Sequence, residues 1–179
     1  MQMSCCSSST AFTKLSEEGK TNGLFFRTFA TTGVQAAVGA KVAADQGYKT
    51  IAILYKNDDW GQDLNNLISR DFAALDIKVT ETVAINDAQP SYRAEVTKAL
   101  SNNPDALYLG LYPAEGTAAV REWLSLGGTQ NMIMANSLKS DDFRENVGLQ
   151  YLGKALGTDT ASPRVASADA FVTAYKERF

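Results

Sequence analysis

Ile51-Ala52-Ile53-Leu54-Tyr55 is an unbroken apolar run, followed by Lys56-Asn57-Asp58-Asp59-Trp60-Gly61 and then by Leu64, Leu67, Ile68, Phe72 and Leu75. A short continuous apolar run suits a strand buried on both faces. The later residues recur at helical spacing, so their stripe should lie against that strand. One strand, one polar turn and one amphipathic helix make the unit from which parallel sheets are built.

The same unit repeats outward from this stretch. Upstream, Leu24 to Phe29 reads as a short strand after Gly23. Thr32 is expected to cap a helix carrying Val34, Ala37, Val38 and Val42 on one side and stopping at Gly47. Downstream, Ile77 to Ile85 is strand-like, and Ala94 to Leu100 is a helix ended by Asn102-Asn103-Pro104. Ala106 to Leu109 is a buried strand, and Ala118, Val120, Trp123, Leu124 and Leu126 belong to a helix closed by Gly127-Gly128. Met132 to Ala135 is a strand, Asp141 to Val147 a helix, Ala155 to Thr158 a last strand, and Ala168 to Phe179 a final helix with Phe171, Val172 and Tyr175 on one face. The polar segment Ser4 to Thr10 reads as loop. This alternation predicts an α/β fold, a parallel sheet flanked by helices on both faces with right-handed crossovers.

Composition narrows the chemistry. The 179 residues are 45% hydrophobic and 21% charged, enough apolar material for a packed core. Lys plus Arg number 17 against 20 Asp plus Glu, and a net charge of −3 without a basic run argues against nucleic acid as a partner. Histidine is absent, which removes Ser-His-Asp and Cys-His catalysis and ordinary zinc sites. Cys5 and Cys6 are adjacent, and neighbouring cysteines rarely meet disulfide geometry with each other, so they are not expected to form a framework. No stretch resembles a signal peptide or a membrane span. The glycines fit neither GxGxxG nor GxxxxGK[ST]. Adjacent acidic pairs such as Asp58 with Asp59 do not face each other and make poor acid/base pairs.

In open parallel sheets, ligands bind outside the carboxyl ends of the strands. Three such ends carry Trp60, Tyr112 and Asn136, two aromatic walls and one amide suited to a small polar molecule. The first peptide N–H groups of the helix at Trp60 are further expected to favour an anionic group. Each residue also has a plainer role: Trp60 as cover for a helix start, Asp58 or Asp59 as an N-cap, Tyr112 as turn packing beside Pro113, and Asn136 as a partner for loop backbone.

The wording of the chain resembles the type I periplasmic solute-binding proteins of the branched-chain amino acid (Leu/Ile/Val-binding) ABC transporter family. "SCCSSSTAFTKL" parallels the family's Ser-Pro-x-Ala-Thr segment, and "LFFRTFATTGVQAAVGAKVAADQGYKTIAILYKNDDWGQDL" parallels its Phe-Arg-Thr…Tyr-Gly-x-x-Leu core. "NPDALYLGLYPAEGTAAVREWLSLG" and "AFVTAYKERF" continue the match in order. The resemblance implies a Rossmann-like lobe of a two-lobed protein. Residues 1–23 would be the end of the first lobe and hinge with a ligand loop, 24–160 the second lobe, and 161–179 a return toward the first lobe. A cleft with one wall would bind weakly, because pockets of this kind normally enclose most of the ligand surface.

At the family's ligand positions stand Ser7, Ser8, Trp60 in place of a Tyr, Tyr112, and Asn136 where amino-acid binders place Glu or Asp. An amide gives no countercharge to a ligand ammonium. A carboxylate, amide or urea-like ligand is therefore expected as readily as an amino acid. The implied function is non-enzymatic solute binding for a membrane ABC permease, in the periplasm, with no cofactor, no metal and a small-molecule ligand. The alternatives are a ligand-sensing regulatory or receptor domain of the same fold, and a flavodoxin-like enzyme.

Overall fold

The sheet is assembled outward from β3. The structure, a computed structural model, describes residues 1–160 and 166–179. In chain order the elements are β1 (Gln2–Ser4), α1 (Ala11–Glu17), β2 (Phe25–Arg27), α2 (Thr32–Asp45), β3 (Thr50–Lys56), α3 (Asp59–Ala74) and β4 (Lys78–Ile85). They continue with α4 (Arg93–Leu100), β5 (Ala106–Gly110), α5 (Pro113–Ser125), β6 (Asn131–Met134), α6 (Asp141–Val147), β7 (Ala155–Gly157) and α7 (Ala166–Arg178). Five strands form one all-parallel sheet in the order β4-β3-β5-β6-β7. From β3 the chain first moves outward to β4, then returns past β3 to β5. The order thus reverses between β3 and β5, the topological switch point of a doubly wound sheet.

Side-chain alternation splits the core into two layers. Ala52, Leu54, Leu107, Leu109, Met132 and Met134 pack against α4, α5 and α6. Ile51, Ile53, Ala106, Tyr108 and Ile133 pack against α2 and α3. Both faces of β3 and β5 are covered, which is why those strands read as continuous apolar runs. The expected parallel sheet with helices on both faces is the fold observed.

α3 buries Leu64, Ile68 and Phe72 as its spacing predicts, while Leu75 lies just past its end and is exposed. α2 requires a correction. Thr31 rather than Thr32 is its cap, and its buried face is Thr32, Ala36, Gly39, Ala40 and Ala43. Val34 and Val38 face outward, 54% and 47% exposed. The reason is close packing: a Cβ at Gly39 would lie 3.1 Å from both Ile68 and Tyr108, so the tight face takes the small residues.

β1 and β2 pair in parallel as a separate two-stranded sheet, Gln2 with Phe25 through Ser4 with Arg27. β2 is shorter than the expected Leu24 to Phe29 because its strand neighbour among the described residues, β1, is three residues long. α1 has no buried residue, hence no apolar periodicity to reveal it. Cys5 and Cys6 are joined by a disulfide, contrary to expectation for neighbouring cysteines. Residues 161–165 of the expected return segment lie outside the described residues.

Candidate functional site

The carboxyl ends of β3, β5 and β6 deliver three side chains to one edge of the sheet. Trp60 lies in the first turn of α3, Tyr112 caps α5 immediately before Pro113, and Asn136 opens a short 3₁₀ turn after β6. The segment after β1 brings Ser7 and Ser8 to the same edge. All five sequence-predicted residues line a single cavity of about 420 Å³. Ser137, beside Asn136, donates to the Leu111 carbonyl at 2.6 Å and joins the β6 loop to the β5 loop.

The α3 entry depends on a glycine. A Cβ at Gly61 would lie 1.9 Å from the carbonyl oxygen of Lys56, so only glycine allows the first turn of α3 to settle on the end of β3. Asp58 caps that turn by accepting from the Gly61 N–H at 2.8 Å. This counts against the expectation of an anion site at the start of the helix. Asp58 already occupies a terminal donor, and Asp59 adds a second negative charge in the first turn.

The two aromatics do not form opposite walls. Trp60 and Tyr112 stack with centroids 5.1 Å apart and planes 20° from parallel. β3 and β5 are adjacent strands, so side chains just beyond their ends arrive side by side rather than across a cleft. Tyr112 remains 38% exposed. Burial, with the nearby Asp58 carboxylate, pushes its phenol up to about 12.

Asn136 Oδ1 accepts from Gln35 Nε2 of α2 at 2.6 Å, which leaves the amide nitrogen as the donor of this cavity-lining side chain. Ser8 is buried: Thr32 donates to it through N–H (2.9 Å, to the Ser8 carbonyl) and through Oγ1 (3.2 Å, to the Ser8 hydroxyl). The serine segment is held by residues that the sequence reading did not single out. Arg27 Nη1 donates to the Ser9 carbonyl at 2.9 Å and to the Ser7 and Ser8 carbonyls at 3.4 and 3.5 Å, while Nη2 donates to Thr13. Asp63 on α3 accepts from the Thr10 N–H and hydroxyl at 2.9 and 2.8 Å. Phe12 and Phe29 add apolar lining, and among the described residues Asp59 is the one formally charged side chain on the cavity. The signal for Arg27 was present in its Phe-Arg-Thr context, but nothing local showed what it grips.

Beside Tyr112, Lys56 at the end of β3 is buried between Asp87 and Glu115, pairing with Asp87 and lying 3.4 Å from Glu115. Burial alone would pull the Lys56 ammonium down, but the Asp87 hydrogen bond and the Glu115 carboxylate outweigh it and hold it above the usual lysine value. The Lys56 hydrogen bond, with Glu115 behind it, holds Asp87 below the usual carboxylate range. Among the described residues no group of three or more His, Cys, Asp or Glu is placed to hold a metal ion, and no helix is long and apolar enough to cross a membrane.

Comparison with solved structures finds the same fold in binding proteins. The chain is similar to a leucine-binding protein of Thermotoga maritima, at 26% identity and a TM-score of 0.73 over 87% of this chain and 45% of that one. It shares its fold with a solute-binding protein of an ABC transporter from Rhodopseudomonas palustris in complex with 3,4-dihydroxybenzoic acid (21% identity, TM-score 0.63, 87% and 44% covered). It also shares it with a fatty acid ABC transporter substrate-binding protein from Thermomonospora curvata (17% identity, TM-score 0.67, 87% and 42% covered). The chain thus spans less than half the length of these structures. No curated protein sequence matches it. Residues 6–179 match the family described as periplasmic binding protein, and with a type I lobe built around its switch point the chain belongs to that family.

Proposed function

We propose that this chain carries the second lobe and ligand loop of a non-enzymatic substrate-binding protein, which holds a small polar solute for a membrane ABC permease in the periplasm. In this reading residues 1–23 belong to the first lobe and hinge, 24–160 form the second lobe, and 161–179 return toward the first. The observation that carries it is the convergence of Ser7, Ser8, Trp60, Tyr112 and Asn136 on one cavity at the switch point. The family match and the binding-protein neighbours support it.

The donor set favours a ligand rich in acceptors. The Asn136 amide nitrogen and the Ser7 and Ser8 hydroxyls can donate to a carboxylate or a carbonyl, and the Trp60–Tyr112 stack offers a flat apolar face. A ligand ammonium would have to turn to Asp59, since Asn136 gives it no countercharge. An organic or aromatic carboxylate or an amide therefore fits better than a free amino acid. Calorimetric titration with 3,4-dihydroxybenzoate and L-leucine tests this: tighter binding of the carboxylate without an ammonium is expected, and preference for leucine would reverse the assignment.

A further inference from the structure

The Cys5–Cys6 disulfide calls for a role other than stabilisation. Stabilisation by a cross-link grows with the length of chain it closes, and this one closes only the peptide between neighbours. The segment is already fixed by other contacts: Ser4 Oγ accepts from the N–H groups of Cys6 and Ser7 at 3.2 and 2.9 Å, and Arg27 gathers the carbonyls of Ser7 to Ser9. Both cysteines are exposed, and Cys6 lines the same cavity as Trp60, Tyr112 and Asn136.

We propose that the Cys5–Cys6 disulfide is part of the wall of the solute cavity, and that its reduction by a dithiol weakens solute binding. The proposal rests on the solute-binding reading above. In the oxidised state the bond to Cys5 fixes the Cys6 sulfur as a polarizable part of the wall, against which an apolar or aromatic part of a ligand can pack. In reduction, a thiolate of the dithiol attacks one cysteine sulfur, breaking the Cys5–Cys6 bond and forming a mixed disulfide. The second thiol of the reductant displaces the cysteine, the reductant leaves as its own disulfide, and Cys5 and Cys6 each end with a proton. An independently turning Cys6 thiol then replaces the fixed sulfur at the wall, and ligand packing must order that side chain again.

The test uses the full chain purified without reductant. Alkylation followed by mass measurement should find no free thiol before dithiol treatment and two after it. Reduction should change the emission of Trp60, and the change should vanish in Trp60→Phe. In calorimetric titrations with 3,4-dihydroxybenzoate and L-leucine, a probe that binds the oxidised chain should bind about tenfold more weakly to the reduced chain and to the Cys5→Ser/Cys6→Ser variant, the scale of one lost packed contact. Two free thiols in the untreated chain, an emission indifferent to reduction, or equal affinities would overturn the proposal. If neither probe binds even the oxidised chain, the solute reading suffers, and the Trp60 emission still decides whether the disulfide belongs to the cavity wall.

Discussion

Trp60 in the first turn of α3 and Tyr112 at the cap of α5 stack face to face, with ring centroids 5.1 Å apart and planes within 20° of parallel. The pairing follows from topology. β3 and β5 flank the point where strand order reverses, and each aromatic lies just beyond the end of its strand. The stack turns two separate signals in the sequence into one apolar face.

Because the rings support each other, their losses should not add. Trp60→Ala and Tyr112→Ala are each expected to weaken binding of a recognised ligand by roughly 1–3 kcal/mol, as for a packed aromatic anchor. The double variant should lose less than the sum, with a coupling of about 0.5–1.5 kcal/mol. A double-mutant cycle by calorimetry measures this; strictly additive losses would mean that the rings act independently.

Gly61→Ala should damage the fold itself. Its Cβ would collide with the Lys56 backbone carbonyl rather than with a movable side chain. A loss of about 2–3 kcal/mol is expected from such overpacking, read as a lower urea midpoint. An unchanged midpoint would contradict the tight entry into α3.

Arg27→Met should spare the sheet and loosen the serine segment. Among the described residues the side-chain hydrogen bonds of Arg27 go to the Ser7, Ser8 and Ser9 carbonyls and to Thr13, and none goes to β3 to β7. Hydrogen exchange at residues 7–10 should quicken while the core strands stay protected. Equal protection of that segment in both proteins would show that Asp63 and Thr32 hold it unaided.

The Lys56 cluster sets a pH profile. A lysine raised in the folded state contributes stability that is fully present below its unfolded value of roughly 10.4 and is lost as pH rises through the folded value. Tyr112, pushed up to about 12, acts in the same direction. Asp87 is lowered, so its contribution is present above roughly 3.9 and is lost as pH falls through its folded value. With no histidine in the chain, stability should be nearly flat between these two limbs. Lys56→Met should abolish the lysine's part of the alkaline limb and cost about 3 kcal/mol near neutrality, the low end for breaking a buried pair, because Glu115 is left buried without its cation while Asp87 is exposed. Denaturant midpoints across pH check both signs.

The sheet was legible because β3, β5 and β6 are buried on both faces and must be apolar throughout. The buried face of α2 was not, since alanine, glycine and threonine carry the tight contact while its valines point outward. β1 and α1 left no periodic trace, being short and unburied. At the site, strand ends identified Trp60, Tyr112 and Asn136, and resemblance identified Ser7 and Ser8. Arg27, Asp63 and Gln35 stayed hidden because each acts on a partner distant in sequence, which spacing cannot reveal. The same holds for the stacking of the aromatics, which depends on which strands are neighbours.

Solute binding at the cavity is tested most directly by proton–nitrogen correlation spectra of the labelled chain titrated with 3,4-dihydroxybenzoate and L-leucine. The expected result is that the Trp60 indole N–H and the Asn136 side-chain amide shift together along one saturation curve, with the backbone of Ser7 and Ser8 following. Binding that shifts other residues while leaving Trp60 and Asn136 in place would contradict the site.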